Sequence, residues 1–316
     1  MIISAVQLLP TDLALPVRAG LRKHTLETVT LRWFDSRLAV RFDQADAAAT
    51  FRKRYRAFAA TGSPDLAVYA VSASRGGPAF WAEPGPGWRH PEPIDDAAVI
   101  AFLTDAVVQQ AFFDVNPRVM SLHAASLQAG DAAIALSATS TGGKSTTAIA
   151  CVRRGLGLYG DERCTIVDGK VQPFPRALNI RRGGLELLTA QPVAGDGGIT
   201  ARLALHAGDD WEAVGFDELL GHDALPPPQP LRALMFIAGF TPSPRVEPLP
   251  RAATISRLLA AGFCGPPVGL DRVAAATRIS AEAQGYAAYL GSPDESAAAI
   301  IAAVRDLSAQ PATAAS

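Results

Sequence analysis

The sequence predicts an α/β protein made of two domains. Its 316 residues are about twice the usual length of one domain. Apolar residues make up 49% of the chain and charged residues 19%, which is enough for a packed core and too apolar for a disordered chain. The pattern of elements changes character at Asn116-Pro117. We therefore expect a smaller α+β domain over residues 1–115 and a second domain over residues 118–316.

The first region mixes short strands with helices. Three apolar runs predict strands, at residues 28–33, 38–42 and 66–71. Apolar spacing predicts a short helix over 45–60 and a longer one over 95–113. The Pro- and Gly-rich stretch 83–88 predicts a loop. Trp33, Trp81 and Trp88 are expected to pack in a core or an interface.

The second region opens with two apolar runs, 123–127 and 132–136, separated by the turn residues Gly130-Asp131. A helical pattern follows to Arg154 and is closed by Gly155. Further apolar runs predict strands at residues 156–159, 164–167 and 231–240, and a helix at 294–307.

The strand at 132–136 leads directly into an eight-residue loop. The loop reads Ala138-Thr139-Ser140-Thr141-Gly142-Gly143-Lys144-Ser145. It departs from the phosphate-binding pattern G-x-x-x-x-G-K-[ST] only at its first position, where alanine stands. A strand precedes the loop and a helix follows it, which is the context that phosphate binding needs.

Each part of this loop has a chemical reason. Small residues let backbone N–H groups curl around phosphates, and the helix that follows, with Thr146 in its first turn, directs its positive end at them. Lys144 supplies a compact charge to the β- and γ-phosphates, and the hydroxyl of Ser145 binds magnesium. Residues 138–146 are therefore candidate nucleotide contacts, with ATP and Mg²⁺ as the predicted cofactors. A loop lysine is expected to be exposed, so its replacement should leave the fold intact.

The lysine is a specific signal in this chain. Only four of its 29 basic residues are lysines, and one of the four falls in the loop. The planar fork of arginine cannot replace a point charge in such a cradle. The bland alternative is a glycine-rich turn that binds nothing.

Charge and hydropathy exclude several classes of partner. The net charge of −1 gives no electrostatic reason to bind nucleic acid or an anionic membrane. No basic residue precedes Arg18, so the N-terminal apolar stretch does not resemble a signal peptide. No uninterrupted apolar stretch reaches the length of a membrane span. We expect a cytoplasmic protein. The sequence does not determine its oligomeric state, and a homo-oligomer is one of the alternatives.

His123 lies 21 residues before Lys144, and the acidic pair Asp161-Glu162 begins 17 residues after it. With both of these spacings, the residues around the loop resemble the catalytic domain of the HPr kinase/phosphorylase family. Residues 173–181 fall where the family has its next signature. The similarity covers 118–190 well and the rest to about 305 loosely.

The resemblance implies a P-loop kinase domain with a mixed sheet of the HPr kinase type, related to phosphoenolpyruvate carboxykinase, preceded by an accessory domain. It also implies transfer of the γ-phosphoryl group of ATP to a serine of a protein or peptide acceptor, such as a natural-product precursor peptide. By the same analogy Lys144 and Ser145 bind phosphate and magnesium. Asp161 is the base for the acceptor hydroxyl and a metal ligand, Glu162 helps to hold the metal, and His123 tunes the neighbouring Asp161.

Four positions depart from the family pattern. Ala138 and Thr141 stand in place of loop glycines, Glu162 in place of an aspartate and Asn179 in place of a glutamate. Two alternatives therefore remain beside a serine kinase. One is a small-molecule kinase that uses the same loop. The other, favoured by Glu162 and Asn179, is a nucleotide-binding sensor or scaffold with degraded catalysis. Residues 1–115 are predicted to recruit the acceptor.

Overall fold

The computed structural model describes residues 7–9, 26–71, 79–83, 87–89, 94, 96–138, 142–190, 193–206, 211–222, 224–264 and 267–305. Within these ranges the protein is mixed α/β. The chain divides into two compact units, Met1–Pro117 and Arg118–Ser316, called unit 1 and unit 2 below.

The described strands of unit 1 form one mixed sheet. They are β1 (Gln7–Leu9), β2 (Glu27–Trp33), β3 (Ser36–Phe42), β4 (Leu66–Val71), β5 (Ala79–Glu83) and β6 (Gly87–Arg89). Their order is β1-β6-β5-β4-β3-β2, and only β3 and β4 run parallel. Helix α1 (Ala45–Arg54), followed by a 3₁₀ turn, makes the crossover that a parallel pair requires.

Most of the sequence-based predictions for unit 1 are confirmed. The strands at 28–33, 38–42 and 66–71 are present with nearly the expected bounds. The prediction of a loop over 83–88 is wrong at both ends of that stretch. Glu83 is the last residue of β5, and Gly87 and Trp88 belong to β6. Glycine and tryptophan there complete ladder pairs with β5, so long-range pairing overrides local turn composition. Residues 84–86 lie outside the described residues.

Helix α2 (Ala97–Val115) supplies much of the core of unit 1. The Asp96 carboxylate accepts hydrogen bonds from the backbone N–H groups of Ala98 and Val99, which caps the helix start. The Trp33 ring packs against the Phe112 and Phe113 rings, with centroids 5.3 and 5.9 Å apart. The expectation that Trp33 packs in a core is confirmed. The side chains of Trp81 and Trp88 lie outside the described part.

By length and composition α2 could cross a membrane. Most of it is buried inside the folded chain, with Ile100, Val108 and Phe112 fully enclosed. Such burial is usual for the core helix of a soluble protein.

Unit 2 has a larger mixed sheet. The described strands of unit 2 are β7 (Met120–Leu122), β8 (Ala125–Ala129), β9 (Ala132–Ser137), β10 (Gly157–Gly160), β11 (Cys164–Val167), β12 (Lys170–Gln172), β13 (Leu178–Arg181), β14 (Trp211–Val214), β15 (Gln229–Phe240), β16 (Arg245–Pro248) and β17 (Gln284–Leu290), and all of them except β13 and β14 belong to this sheet. The long strand β15 is central: it runs parallel to both β9 and β17, and its first residues pair with β12. β8 lies next to β9 on the other side, and β10 next to β8. β13 and β14 form a separate pair.

Helices cover both faces of this sheet. They are α3 (Lys144–Arg153), α4 (Arg182–Thr189), α5 (Ile199–Ala204), α6 (Phe216–Leu220), α7 (Arg251–Arg257), α8 (Asp271–Glu282) and α9 (Pro293–Arg305), with a π-helical turn at Leu258–Gly262. Ile134 and Leu136 of β9 join a hydrophobic cluster with α3 and α9, whereas Ala133 and Ala135 join another with α8. Because alternate strand residues face opposite ways, the two clusters lie on opposite faces of the sheet.

Candidate functional site

The candidate site is built where β9 ends and α3 begins. Ala138 follows β9 and is buried, and α3 starts at Lys144. Gly143 precedes the helix with φ of 84°, a left-handed conformation that glycine adopts without steric cost. Gly142 is half-buried. Thr139, Ser140 and Thr141, also predicted to contact nucleotide, lie outside the described residues.

Lys144 is held in a tight polar cluster. Only 7% of the residue is exposed, so the expectation of an exposed loop lysine is wrong. Its Nζ donates to Glu162 Oε1 at 2.9 Å and lies 3.1 Å from His123 Nε2. His123 Nε2 is in turn 2.8 Å from Glu162 Oε2. The lysine is buried because these partners satisfy its charge.

The ring nitrogen of His123 faces two groups but forms a hydrogen bond with one at a time. With a proton, Nε2 donates to Glu162; without it, Nε2 accepts from Lys144. Lys144 already donates to the other oxygen of Glu162. A proton on Nε2 therefore gives both carboxylate oxygens a donor, and Glu162 becomes the acceptor shared by His123 and Lys144.

Ser145 pairs with the other acid of the turn. Its Oγ donates to Asp161 Oδ2 at 2.7 Å. Asp161 is 1% exposed, and within the described part of the chain its Oδ1 has no hydrogen-bond partner. Ser145 thus contacts Asp161, and the preceding residue, Lys144, contacts Glu162. The two acids of the turn therefore contact two consecutive residues at the start of α3.

The two carboxyls have opposite electrostatic settings. Burial raises the pKa of Asp161, and the Glu162 charge raises it further against the opposing effects of Lys144 and Ser145. Burial would also raise the pKa of Glu162, but the hydrogen bond from His123 and the charge and hydrogen bond of Lys144 outweigh it. The pKa of Glu162 is held well below its usual value, so this carboxyl is firmly ionised. The pKa of Asp161 is raised because burial outweighs the opposing charges of Lys144 and Arg176.

The acidic turn owes its position to tight backbone packing. A Cβ atom on Gly160 would lie 3.0 Å from the carbonyl oxygens of Arg163 and Phe174, so a larger residue there would require these backbone atoms to shift. Glu162 has φ of 68°, an uncommon left-handed value for a side chain of this kind. The turn follows β10, which pairs with β8.

Two expectations about this geometry need correction. The strand predicted at 123–127 is β8, Ala125–Ala129, and His123 lies in the bend before it, where its N–H donates to Gly262 O at 2.6 Å. The His123 ring forms its hydrogen bond with Glu162, whereas Asp161 was the expected neighbour. β10, the strand before Asp161, is not the neighbour of β9, which feeds the loop, because β8 lies between them. Local patterns carry no information on this strand order.

The structure brings together five predicted residues, namely His123, Lys144, Ser145, Asp161 and Glu162. Thr146 follows them in the first turn of α3, where a Cβ atom on Gly184 would come within 2.8 Å of its Oγ1. Asn179 lies on β13, paired with Ala213. Sequence reasoning missed Phe240, whose ring borders Gly143. An apolar residue at the end of a strand reads as core, so only the fold reveals it.

Oxygen ligands for magnesium are available at this site. No group of three or more His, Cys, Asp or Glu side chains that could hold a metal occurs among the described residues. Mg²⁺ does not need one, because it is usually held by one or two protein oxygens plus phosphates and water. Ser145 Oγ and the Asp161 carboxylate could be the protein oxygens of such a site. Asp161 Oδ1 accepts no hydrogen bond within the described part of the chain, so it can still bind a cation.

Comparison with models of known protein families returns no match for this chain, and comparison with curated proteins returns none either.

Proposed function

We propose that this protein binds ATP with Mg²⁺ and transfers the γ-phosphoryl group to a serine hydroxyl of a protein or peptide. Unit 2 would be the P-loop kinase domain of the HPr kinase type, and residues 1–115 would recruit the acceptor in the cytoplasm. One observation carries the proposal: Lys144 and Ser145, at the start of α3, each engage a different acid of the turn Asp161-Glu162.

The contacts of Lys144 support phosphate binding. A buried ammonium is stable only with an anionic partner, and in the free protein Glu162 is that partner. A bound phosphate would present the same kind of anionic oxygen to Nζ, while the N-terminus of α3 and the adjoining backbone N–H groups add their own attraction for anions. The ammonium of lysine is a compact point charge, whereas the guanidinium of arginine is a broad planar fork, so arginine could not make the same contact with the phosphate.

The pair Ser145–Asp161 supports magnesium binding. In P-loop enzymes the metal is held by the loop Ser or Thr and by an acidic residue from a neighbouring strand. The hydrogen bond between Ser145 Oγ and Asp161 Oδ2 would keep both oxygens close to one cation position. A cation there would also compensate the carboxylate charge that burial disfavours. Bound magnesium supplies charge neutralisation for the phosphates.

Transfer needs a base as well as a phosphate site. The acceptor serine oxygen forms a bond to Pγ as the bond from Pγ to the β-phosphate oxygen breaks, so that ADP leaves and the serine proton moves to a carboxylate. Asp161 is our candidate for that carboxylate, since its hydrogen bond with Ser145 Oγ places it at the start of α3, next to the loop. Glu162, ionised and held by His123 and Lys144, would help to hold the metal.

Nucleotide binding by loop variants tests the first half of this proposal. Lys144→Ala and Lys144→Met should weaken Mg–ATP binding by at least about tenfold, or 1.4 kcal/mol, in calorimetry. The methionine variant retains the apolar stem, which matters because the residue is buried. The control is Lys170→Ala, an exposed lysine on β12. Unchanged ATP affinity in both Lys144 variants, with the fold intact, would contradict the proposal.

A transfer assay tests the second half. Labelled ATP is offered with peptides encoded by neighbouring genes, with casein-like mixed proteins and with small hydroxyl metabolites. Asp161→Asn should lower transfer by about 10²- to 10⁴-fold and largely spare ATP binding. Label in a peptide serine supports the serine kinase, label in a metabolite supports the small-molecule kinase, and tight binding without any transfer supports the sensor.

A further inference from the structure

Phe240 stands out among the exposed side chains of unit 2. It is 68% exposed, the highest value for any Phe, Tyr or Trp in the part of the chain that the structure describes. A Cβ atom built on Gly143 would lie 3.5 Å from Cζ of this ring and 3.4 Å from Leu290 Cδ1. The ring therefore borders the last glycine of the loop, one residue before Lys144, and its other surface faces solvent.

The register of β15 places Phe240 at the level of the loop. Phe236 pairs with Ser137, the last residue of β9, and β15 then continues for four more residues. A bulge between Ile237 and Gly239 makes these four residues span three residues of β17, so at about 3.3 Å per residue the extension runs roughly 10 Å past the end of β9. It lies on the side of β9 opposite β8 and β10, so Phe240 and the end of β10, where the acidic turn starts, lie on different sides of the strand that feeds the loop.

This opposition gives the loop two distinct flanks. The contacts of Lys144 and Ser145 with Glu162 and Asp161 mark the flank where the γ-phosphate, metal and acceptor would meet. In a nucleoside triphosphate the nucleoside is attached to the α-phosphate, at the end of the phosphate chain opposite the γ-phosphate, so it leaves the loop away from the γ end. On that second flank the structure offers an exposed aromatic face.

The backbone beneath the ring is firmly placed. Phe240 pairs with Leu290 of β17, and Thr241 N–H donates to Leu290 O at 2.6 Å. A Cβ atom on Gly291 would come within 2.6 Å of Pro244 Cγ and 3.0 Å of Thr241 O, so the turn after Phe240 packs closely against the end of β17. An aromatic ring on a fixed backbone loses little conformational entropy when a flat ligand stacks on it.

We infer that Phe240 stacks on the base of the bound nucleotide and is a binding residue for the nucleoside. This inference rests on the proposed nucleotide function of the loop. A phenyl face recognises the π surface of a base without reading its hydrogen-bonding edge, so it favours large purine bases in general. ATP and GTP should consequently bind more tightly than CTP and UTP.

Calorimetry with two ligands separates the base from the phosphates. Mg–ATP carries both, and Mg–tripolyphosphate carries only the phosphate chain. Phe240→Ala should weaken Mg–ATP by about 5- to 150-fold, the usual loss of one aromatic stacking contact. It should leave Mg–tripolyphosphate unchanged, and Phe240→Trp should restore ATP affinity. The control is Leu270→Ala, which removes another exposed apolar side chain.

The same measurements distinguish failure of this inference from failure of the proposed function. If Lys144→Met weakens both ligands while Phe240→Ala leaves ATP binding unchanged, the stacking role is wrong and the phosphate site stands. Equal losses of ATP and tripolyphosphate in Phe240→Ala would also overturn stacking, since the ring would then only support the loop. If Lys144→Met changes neither ligand, the nucleotide function itself fails.

Discussion

At the scale of single residues, Glu162 combines an unfavourable backbone with favourable contacts. A left-handed conformation at a residue with a Cβ atom costs about 1–2 kcal/mol. In an extended chain, consecutive side chains point to opposite sides, so Asp161 and Glu162 would diverge. The left-handed turn instead lets both carboxylates reach α3, one at Lys144 and the other at Ser145. The contacts with Lys144 and His123 offset the backbone cost.

Glu162 should compete with phosphate for Lys144. In the absence of metal, Glu162→Gln is expected to tighten ATP binding by about 2- to 5-fold, because a part-exposed ion pair is worth up to about 1 kcal/mol. Calorimetry in a chelating buffer measures this. Glu247→Gln, an exposed glutamate paired with Arg245, is the matched control. Weaker ATP binding in Glu162→Gln would show that the glutamate supports the lysine instead of competing for it.

Sequence reasoning reached Lys144 and Ser145 through the loop motif. It reached His123 and the acidic pair through a resemblance in spacing to the HPr kinase/phosphorylase family, but it paired the five residues imperfectly. Spacing placed His123 and the acidic turn near the loop, yet the ring contacts Glu162 where Asp161 was expected. Which of two adjacent carboxylates faces a given ring depends on one φ angle, and no residue in the turn signals a left-handed glutamate. Phe240 carried no signal either, because its role depends on how far β15 extends past β9.

At the scale of elements, the start of α5 depends on one carboxylate. The Asp196 side chain accepts hydrogen bonds from the N–H groups of Gly198 and Thr200, at 2.8 and 2.9 Å, and from the Thr200 hydroxyl. It also lies 3.9 Å from Arg153 at the end of α3. Burial would raise the pKa of Asp196, but these hydrogen bonds and the arginine charge outweigh it and lower the pKa.

Removal of this carboxylate should destabilise the protein in a pH-dependent way. Asp196→Ala is expected to lower the free energy of unfolding by about 0.5–2 kcal/mol at pH 7, the usual cost of a lost cap. A lowered pKa means that the ionised form contributes stability above the ordinary aspartate pKa, and that this contribution is lost as pH falls through the folded-state value. Urea unfolding at pH 7 and at acid pH measures it.

Asp131→Ala, at an exposed turn position, is the control for this measurement. A difference between wild type and Asp196→Ala that stays constant down to acid pH would contradict the electrostatic part of the prediction. No difference at pH 7 would contradict the capping role as well.

Most elements of the fold could be predicted, but their pairing could not. The runs at 132–136 and 231–240 read correctly as strands, and the helical pattern after the loop ends within one residue of Arg154. The parallel pairing of β15 with β9 and β17 joins segments far apart in sequence, and local periodicity cannot specify such partners. That order nevertheless decides which flank of the loop each side chain occupies.

At the scale of the whole molecule, unit 2 contains a complete core of its own. Both hydrophobic clusters around the central sheet consist of residues that follow Arg118. The described side chains of the candidate site, from His123 to Glu162 and on to Phe240, also belong to unit 2. A unit with its own core can in principle fold alone.

A chain shortened to begin at Arg118 should therefore bind Mg–ATP with an affinity within about twofold of the full chain, the scatter expected for independent sites. It should lose transfer to the native acceptor, because the proposed recruiting residues 1–115 are absent. Calorimetry measures the first quantity and labelled phosphate transfer the second.

Circular dichroism and a cooperative thermal transition establish that the shortened chain is folded before either comparison is made. Lys144→Met in the shortened chain is the control, since it should weaken ATP binding as in the full chain. Acceptor turnover equal to that of the full chain would contradict the recruiting role of unit 1. If the shortened chain is folded but does not bind ATP, part of the nucleotide site lies in unit 1. In that case unit 2 retains its core and lacks only a contact with the ligand.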